Sequence, residues 1–188
     1  LAVLADMYRP QKTTPTQIEY FLPAAFHPGE PAARESAALV AIRNCDALLQ
    51  VVRNFSVYGL PAPHPAEDIR RLDQEFMVAD YMVIEKRLAR VRADHQRGKK
   101  ADPQELALLE ACLEHLEAER PLRLYPDIAR APQLKGFALL SAKPRLIVFN
   151  NNDDRFGAPE LPPDMESVAS IAIRGRLEHE LMQMGEEE

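Results

Sequence analysis

The chain has 188 residues, 46% hydrophobic and 28% charged, with a net charge of −6 and an isoelectric point of about 5.5. That is enough apolar material for one core, or for one domain carrying an insertion, and its mild acidity gives no global pull toward nucleic acid. No apolar run approaches the roughly 18 residues of a membrane helix, and the N-terminus, Leu1-Ala2-Val3-Leu4-Ala5-Asp6, reaches charge too early for a secretory leader.

In chain order, residues 16–22, Thr-Gln-Ile-Glu-Tyr-Phe-Leu, alternate and are rich in strand formers, so they read as a strand. Residues 23–35 hold prolines and alanines and read as a loop, and 36–43 as a short helix. An apolar run at 46–53 has the character of a buried strand, as do 144–149 and 167–173. Residues 176–184 read as a closing helix. Strands separated by helical segments predict an α/β fold with a mainly parallel sheet. Cys45 and Cys112 lie far apart and read as two free, at least half-buried thiols, which fits a reducing, cytoplasmic compartment. The chain opens without methionine in what reads as a helical turn, so residues upstream of Leu1 are expected.

The middle of the chain has a different period. Ile69, Leu72, Phe76, Ala79 and Val83 step by three and four, and the stripe resumes at Ile84, Leu88 and Val91. This predicts one amphipathic helix of about 30 residues, roughly 45 Å long. Gly98 stands where a C-terminal glycine belongs. A second helix opens with Asp102 as N-cap, Pro103 at the first position and Glu105 completing a capping-box pattern. Its seam is Leu106, Leu109, Leu113 and Leu116. Two seamed helices joined by a short turn hide their stripes against each other, so residues 66–119 are predicted to form an antiparallel helical hairpin inserted into an α/β domain made of 1–65 and 120–188.

The third apolar run ends in "NNNDD", residues 150–154. In an open parallel sheet, ligands bind beyond the carboxyl ends of strands. An asparagine followed three residues later by a carboxylate suits a purine base: the amide braces neighbouring loops and the carboxylate accepts paired N–H bonds. An Asx-rich surface turn is the alternative. Between 86 and 100 lie Lys86, Arg87, Arg90, Arg92, Arg97, Lys99 and Lys100, opposed in that stretch by Asp94. In an acidic chain this basic tip points to RNA or ribosome phosphates, or else is a solvated helix face. No aromatic residue interleaves with these charges, so base stacking is not implied. The five histidines show no zinc spacing and no nucleophile elbow is present, so no metal site and no catalytic residue are assigned.

Several stretches together resemble the YchF or Obg-like ATPases, P-loop proteins of the translation-factor class. They are "LAVLADMYRPQKTTPTQIEYF", "IRNCDALLQVVRNF", "AEDIRRLDQEFMVADYMVIEKRLARV", "LALLEACLEHLEAERPLR", "LLSAKPRLIVFN" and "RLEHEL". The resemblance implies a G-domain type of parallel sheet with an inserted helical coiled-coil hairpin, a purine nucleotide (ATP or GTP) and an association with the ribosome. It places a base-binding N-x-x-E variant on Asn150-Asn151-Asn152-Asp153, and the flanking base loop on Arg174, Gly175 and Arg176. It puts the phosphate-binding loop upstream of Leu1 and a TGS-type domain beyond Glu188. Where the family carries D-x-x-G, this chain reads Leu22-Pro23-Ala24-Ala25, and the glycine-rich switch is reduced to "FHPGEPAARES". A leucine cannot hold a metal-bound water, so Mg²⁺ is doubtful and hydrolysis weak or lost. The alternative is a pseudo-GTPase that binds no nucleotide and acts as an interaction module. The base identity stays open, because the family glutamate goes with relaxed selectivity and an aspartate at position 153 with guanine.

Overall fold

The computed structural model describes residues 7–8, 12, 16–23, 38–98, 102–165 and 168–184. Three strands form one parallel sheet in the order β1 (Leu48–Asn54), β2 (Arg145–Asn151) and β3 (Ser170–Ile173), with β2 in the centre. The run Leu-Ile-Val-Phe makes β2 a strand that can be buried on both faces, and Ile147, Val148 and Phe149 are buried accordingly. β1 alternates instead: Val52 and Asn54 are buried while Leu49 and Val51 are exposed. Beneath the sheet, Val52, Ile147 and Phe149 pack with Ile69 and Met165. The α/β class with a parallel sheet is the one predicted.

The connection from β1 to β2 carries the hairpin. Helix α1 (Pro65–Gln96) runs for 32 residues, with proline in its first turn and Glu67 and Asp68 complementing the helix dipole there. It ends where Gly98 takes φ +81° and its N–H donates to the His95 carbonyl at 2.9 Å. Helix α2 (Pro103–Glu117) opens on Asp102, whose side chain accepts the Gln104 N–H at 2.9 Å. The return half of the capping box is not made: the Glu105 carboxylate faces Arg87 of α1 at 2.7 Å. Met77, Ile84, Leu88 and Val91 of α1 meet Leu109, Cys112 and Leu116 of α2 in one core. Leu122, Ile128, Leu134 and Leu139, from the irregular stretch after α2 that includes the short helix α3 (Pro126–Ala129), close that core.

Several expectations change. Residues 16–23 carry no strand, and Ile18, Tyr20, Phe21 and Leu22 are exposed. None of the described strands pairs with them, and alternation alone makes no strand without a ladder to join. The helix expected at 36–43 is helical over 38–42 within the described residues. On α1 the buried line contains Asp73 and Asp80, while Leu72, Ala79 and Val83 are half-buried. On α2 Cys112 is fully buried and Leu106 and Leu113 only partly, so the seam is rotated by one position. β2 extends through Asn151, so the first two asparagines belong to the strand rather than following it. The last helix, α4 (Gly175–Met184), begins one residue early. Cys45 is half-buried and Cys112 buried, both as free thiols.

Candidate functional site

All three strands run the same way, so their carboxyl ends meet at one corner. Asn54 and Asn151 are opposite each other in register as the last residues of β1 and β2. Both are buried, and the Asn54 amide donates to the Asn151 side-chain oxygen at 2.8 Å. The Asn151 amide in turn donates to the carbonyls of Gly157 at 2.8 Å and Arg155 at 3.2 Å, and the Arg155 guanidinium donates to the Asn54 oxygen at 3.2 Å. Asn151 is therefore a brace that folds the loop 152–157 back over the strand ends. The apolar run excludes water there, so such amides need protein partners.

Asn150 points to the other neighbour. It pairs in register with Ile173, and its side-chain oxygen accepts the Gly175 N–H at 3.0 Å. A Cβ at Gly175 would lie 3.0 Å from that oxygen, so a larger residue there fits only if the Asn150 side chain gives by a few tenths of an ångström. Asp153 sits at the turn of the same loop. Its carboxylate accepts a hydrogen bond from the Arg176 guanidinium, and its carbonyl accepts one from Arg174 at 3.5 Å. The Asp153 contact is the first cause of the raised Arg176 pKa. Arg174 lies over the Phe156 ring, 4.3 Å from its centroid, and its N–H donates to Glu178 at the start of α4.

The structure thus brings Asn150, Asn151, Asp153, Arg174, Gly175 and Arg176 into one corner. It adds Asn54, Arg155 and Phe156, which pattern reasoning missed. Asn54 was findable: it ends an apolar strand run in the same way that Asn150 and Asn151 do.

No protein-family model matches the chain. The ribosome-binding ATPase YchF of Escherichia coli O157:H7 is 30% identical over 178 residues, covering 91% of this chain and 48% of the relative. The protein of the same name from Bacillus subtilis strain 168 gives the same identity and coverage. The solved structure of the Schizosaccharomyces pombe YchF GTPase superposes with a TM-score of 0.64 at 22% identity, over 80% of this chain and 46% of that one. The chain is a divergent relative of the YchF proteins. It spans about half the length of the curated YchF relatives it matches. The shared fold is a P-loop GTPase-like α/β fold, and the corner described above is built on its parallel strands.

Leu22, where the sequence resemblance leads one to expect the D-x-x-G aspartate, is 90% exposed, and its side chain offers no oxygen to a cation. Ala24, Ala25 and the reduced switch at 26–36 lie outside the described residues. The described residues hold no group of three or more potential metal ligands. The hairpin tip is also less basic than its sequence implied. Arg87 faces Glu105 at 2.7 Å, Arg92 faces Glu110 at 2.8 Å, and Arg97 lies 3.9 Å from Asp94. Folding brings α2 carboxylates against α1 cations, which a count along α1 alone cannot show. Arg97, Lys86 and Arg90 are exposed, and Lys99 and Lys100 lie outside the described residues. No described helix is long and apolar enough to cross a membrane.

Proposed function

We propose that this chain is the base-reading part of a purine nucleotide-binding protein, with weak or lost hydrolysis, that works at the ribosome. The observation that carries this is the Asn150–Gly175 bond at the carboxyl end of the central strand, with Asp153 on the adjoining loop. In that arrangement the Asn150 amide N–H₂ is directed by its bonded oxygen. Asp153 supplies the carboxylate for base N–H groups, and residues 174–176 flank the ring. Phe156, under Arg174, offers an apolar face nearby. The relatives' names support both nucleotide and ribosome as partners. Residues 66–119 act as the inserted hairpin and 1–65 with 120–188 as the nucleotide-binding unit. The hairpin tip, with Arg97, Lys99 and Lys100, contacts RNA through phosphates, and that contact is salt-sensitive. Binding does not depend on Mg²⁺, because Leu22 cannot support the metal.

A second reading, an interaction module without nucleotide, is favoured by one observation: Arg176 already occupies the Asp153 carboxylate. Titration of the full-length protein with fluorescent ATP and GTP, with and without Mg²⁺, separates the two. Saturable binding indifferent to Mg²⁺ supports the proposal. Absence of binding at about 1 mM nucleotide leaves the interaction module. Strict dependence on Mg²⁺ restores a hydrolase.

A further inference from the structure

At the opposite end of β2 the structure holds a second constellation. Arg145 opens the strand that Asn151 closes, and at about 3.3 Å per residue the two ends are roughly 20 Å apart. A cleft of about 600 Å³ opens there between the root of α1, residues 119–124, the start of β2 and Met165, Val168 and Ala169. That is the size of a small-molecule site.

Its wall carries an unbalanced charge. Arg123 donates to both oxygens of Asp73 at 2.9 and 2.8 Å, and Arg145 donates to one of them at 2.9 Å. The side chains of Asp73, Arg123 and Arg145 are only 12%, 16% and 2% exposed. Among the described residues of this cluster, one carboxylate stands between two guanidiniums in a place poor in water, a surplus of one positive charge. The other Arg145 contact, to the Gln50 side-chain oxygen at 3.0 Å, is to a neutral group. The Arg145 Nε is buried with no hydrogen-bond partner. Burial first, and then the charge of Arg123, lower the Arg145 pKa. Around the rim stand Arg70 and Arg120, with Glu119 the second acid. Arg70 has a partner of its own, and among the described lining residues Arg120, Arg123 and Arg145 stand against Asp73 and Glu119, in a chain of net charge −6. Below them, Ile69, Met77 and Met165 are buried and line an apolar floor with Val168.

We propose that this cleft binds a small organic oxyanion, its carboxylate or phosphate head beside Arg120, Arg123 and Arg145 and its apolar body on Ile69, Met77, Met165 and Val168. The head balances the surplus charge of the described cluster and, with a small outward shift of Arg145, gives an acceptor to Nε. The site is independent of the asparagine corner and of whatever binds there.

The test uses the full-length protein, with hexanoate, butyl phosphate and inorganic phosphate as probes. The arginine Nε–H resonances are followed by nuclear magnetic resonance. A saturable shift of the Arg145 resonance is expected with hexanoate or butyl phosphate, with Kd below about 1 mM. The head group that binds more tightly identifies the natural chemistry. Arg120→Ala, at the rim and outside the Asp73 network, is expected to weaken binding about tenfold while leaving the fold intact. Saturation with ATP is expected to leave the hexanoate and butyl phosphate titrations unchanged. The proposal is overturned if neither organic probe shifts Arg145 at about 10 mM, if inorganic phosphate binds as tightly as butyl phosphate, or if Arg120→Ala has no effect.

Discussion

Asp153 and Arg176 hold each other at the mouth of the candidate site. A base that uses the Asp153 carboxylate must displace an exposed guanidinium, which competes for the same oxygens. Replacing Arg176 by alanine is therefore expected to raise nucleotide affinity by about threefold to tenfold, read as a lower Kd in the fluorescent titration. An unchanged Kd would show that Asp153 does not meet the base, and a weaker one that Arg176 serves the ring it flanks more than it competes for the carboxylate. Gly175→Ala acts the other way. Its Cβ would crowd the Asn150 oxygen at 3.0 Å and push that side chain aside by a few tenths of an ångström, so the amide is oriented less well and nucleotide binding is expected to fall. Cys112 gives a prediction that needs no ligand. Burial, with Asp80 adding to it, pushes its thiol from 9.0 to about 12. Above about pH 9 the unfolded chain releases this proton and the folded chain retains it, so stability falls as pH rises from 9.0 towards about 12. Urea midpoints across that range are expected to drop more steeply for the wild type than for Cys112→Ala, each measured against its own value at pH 8 or so.

Among the elements, the long helix is tied to the sheet through acids rather than through its apolar stripe alone. Asp80 is fully buried and accepts the Leu140 N–H at 2.9 Å, the Ser141 N–H at 2.7 Å, the Ser141 hydroxyl at 2.8 Å and the Arg43 guanidinium at 3.1 Å. Burial raises its pKa, and these donors and Arg43 oppose the rise. Four donors aimed at one carboxylate set where α1 crosses the segment leading into β2. Asp80→Ala strands them, and a loss of about 3 kcal/mol in unfolding free energy is expected from urea denaturation. A loss near zero would show that the network relaxes onto water. Asp73 and Asp80 were not legible as core residues, because periodicity analysis scores an acid at a seam position as a break. The helix pair itself was legible, since caps, a C-terminal glycine and three–four spacing are all local signals.

For the molecule as a whole, the question is what the hairpin does for the proposed nucleotide-binding unit. Its cross-hairpin pairs consume Arg87 and Arg92, so the proposed ribosome contact falls to the remaining cations toward the tip. Charge reversal of Lys99 and Lys100 to glutamate is expected to reduce co-sedimentation with ribosomes at least about fivefold at low salt. Wild-type binding is expected to weaken steeply as salt rises. Co-sedimentation that ignores both changes would remove RNA from the account of the hairpin. Its root is expected to be unaffected by these substitutions, because Asp73 and Asp80 lie far along α1 from the tip.

The sequence by itself determined the class of fold, the two long helices and their turn, and the concentration of asparagines at the end of the central strand. Each is written in short-range pattern: apolar runs, period, capping residues. Only the tertiary structure decided which asparagine does what. Asn151 turns inward to Asn54 and braces the loop, while Asn150 turns to Gly175. Successive residues on a strand point to opposite sides, and which side faces which neighbour depends on register with chains far away in sequence. The same holds for Asp73 and Asp80, whose burial is tolerable only because Arg123, Arg145, Arg43 and Ser141 arrive from distant segments. It holds too for residues 16–22, whose alternation promised a strand that no described neighbour completes.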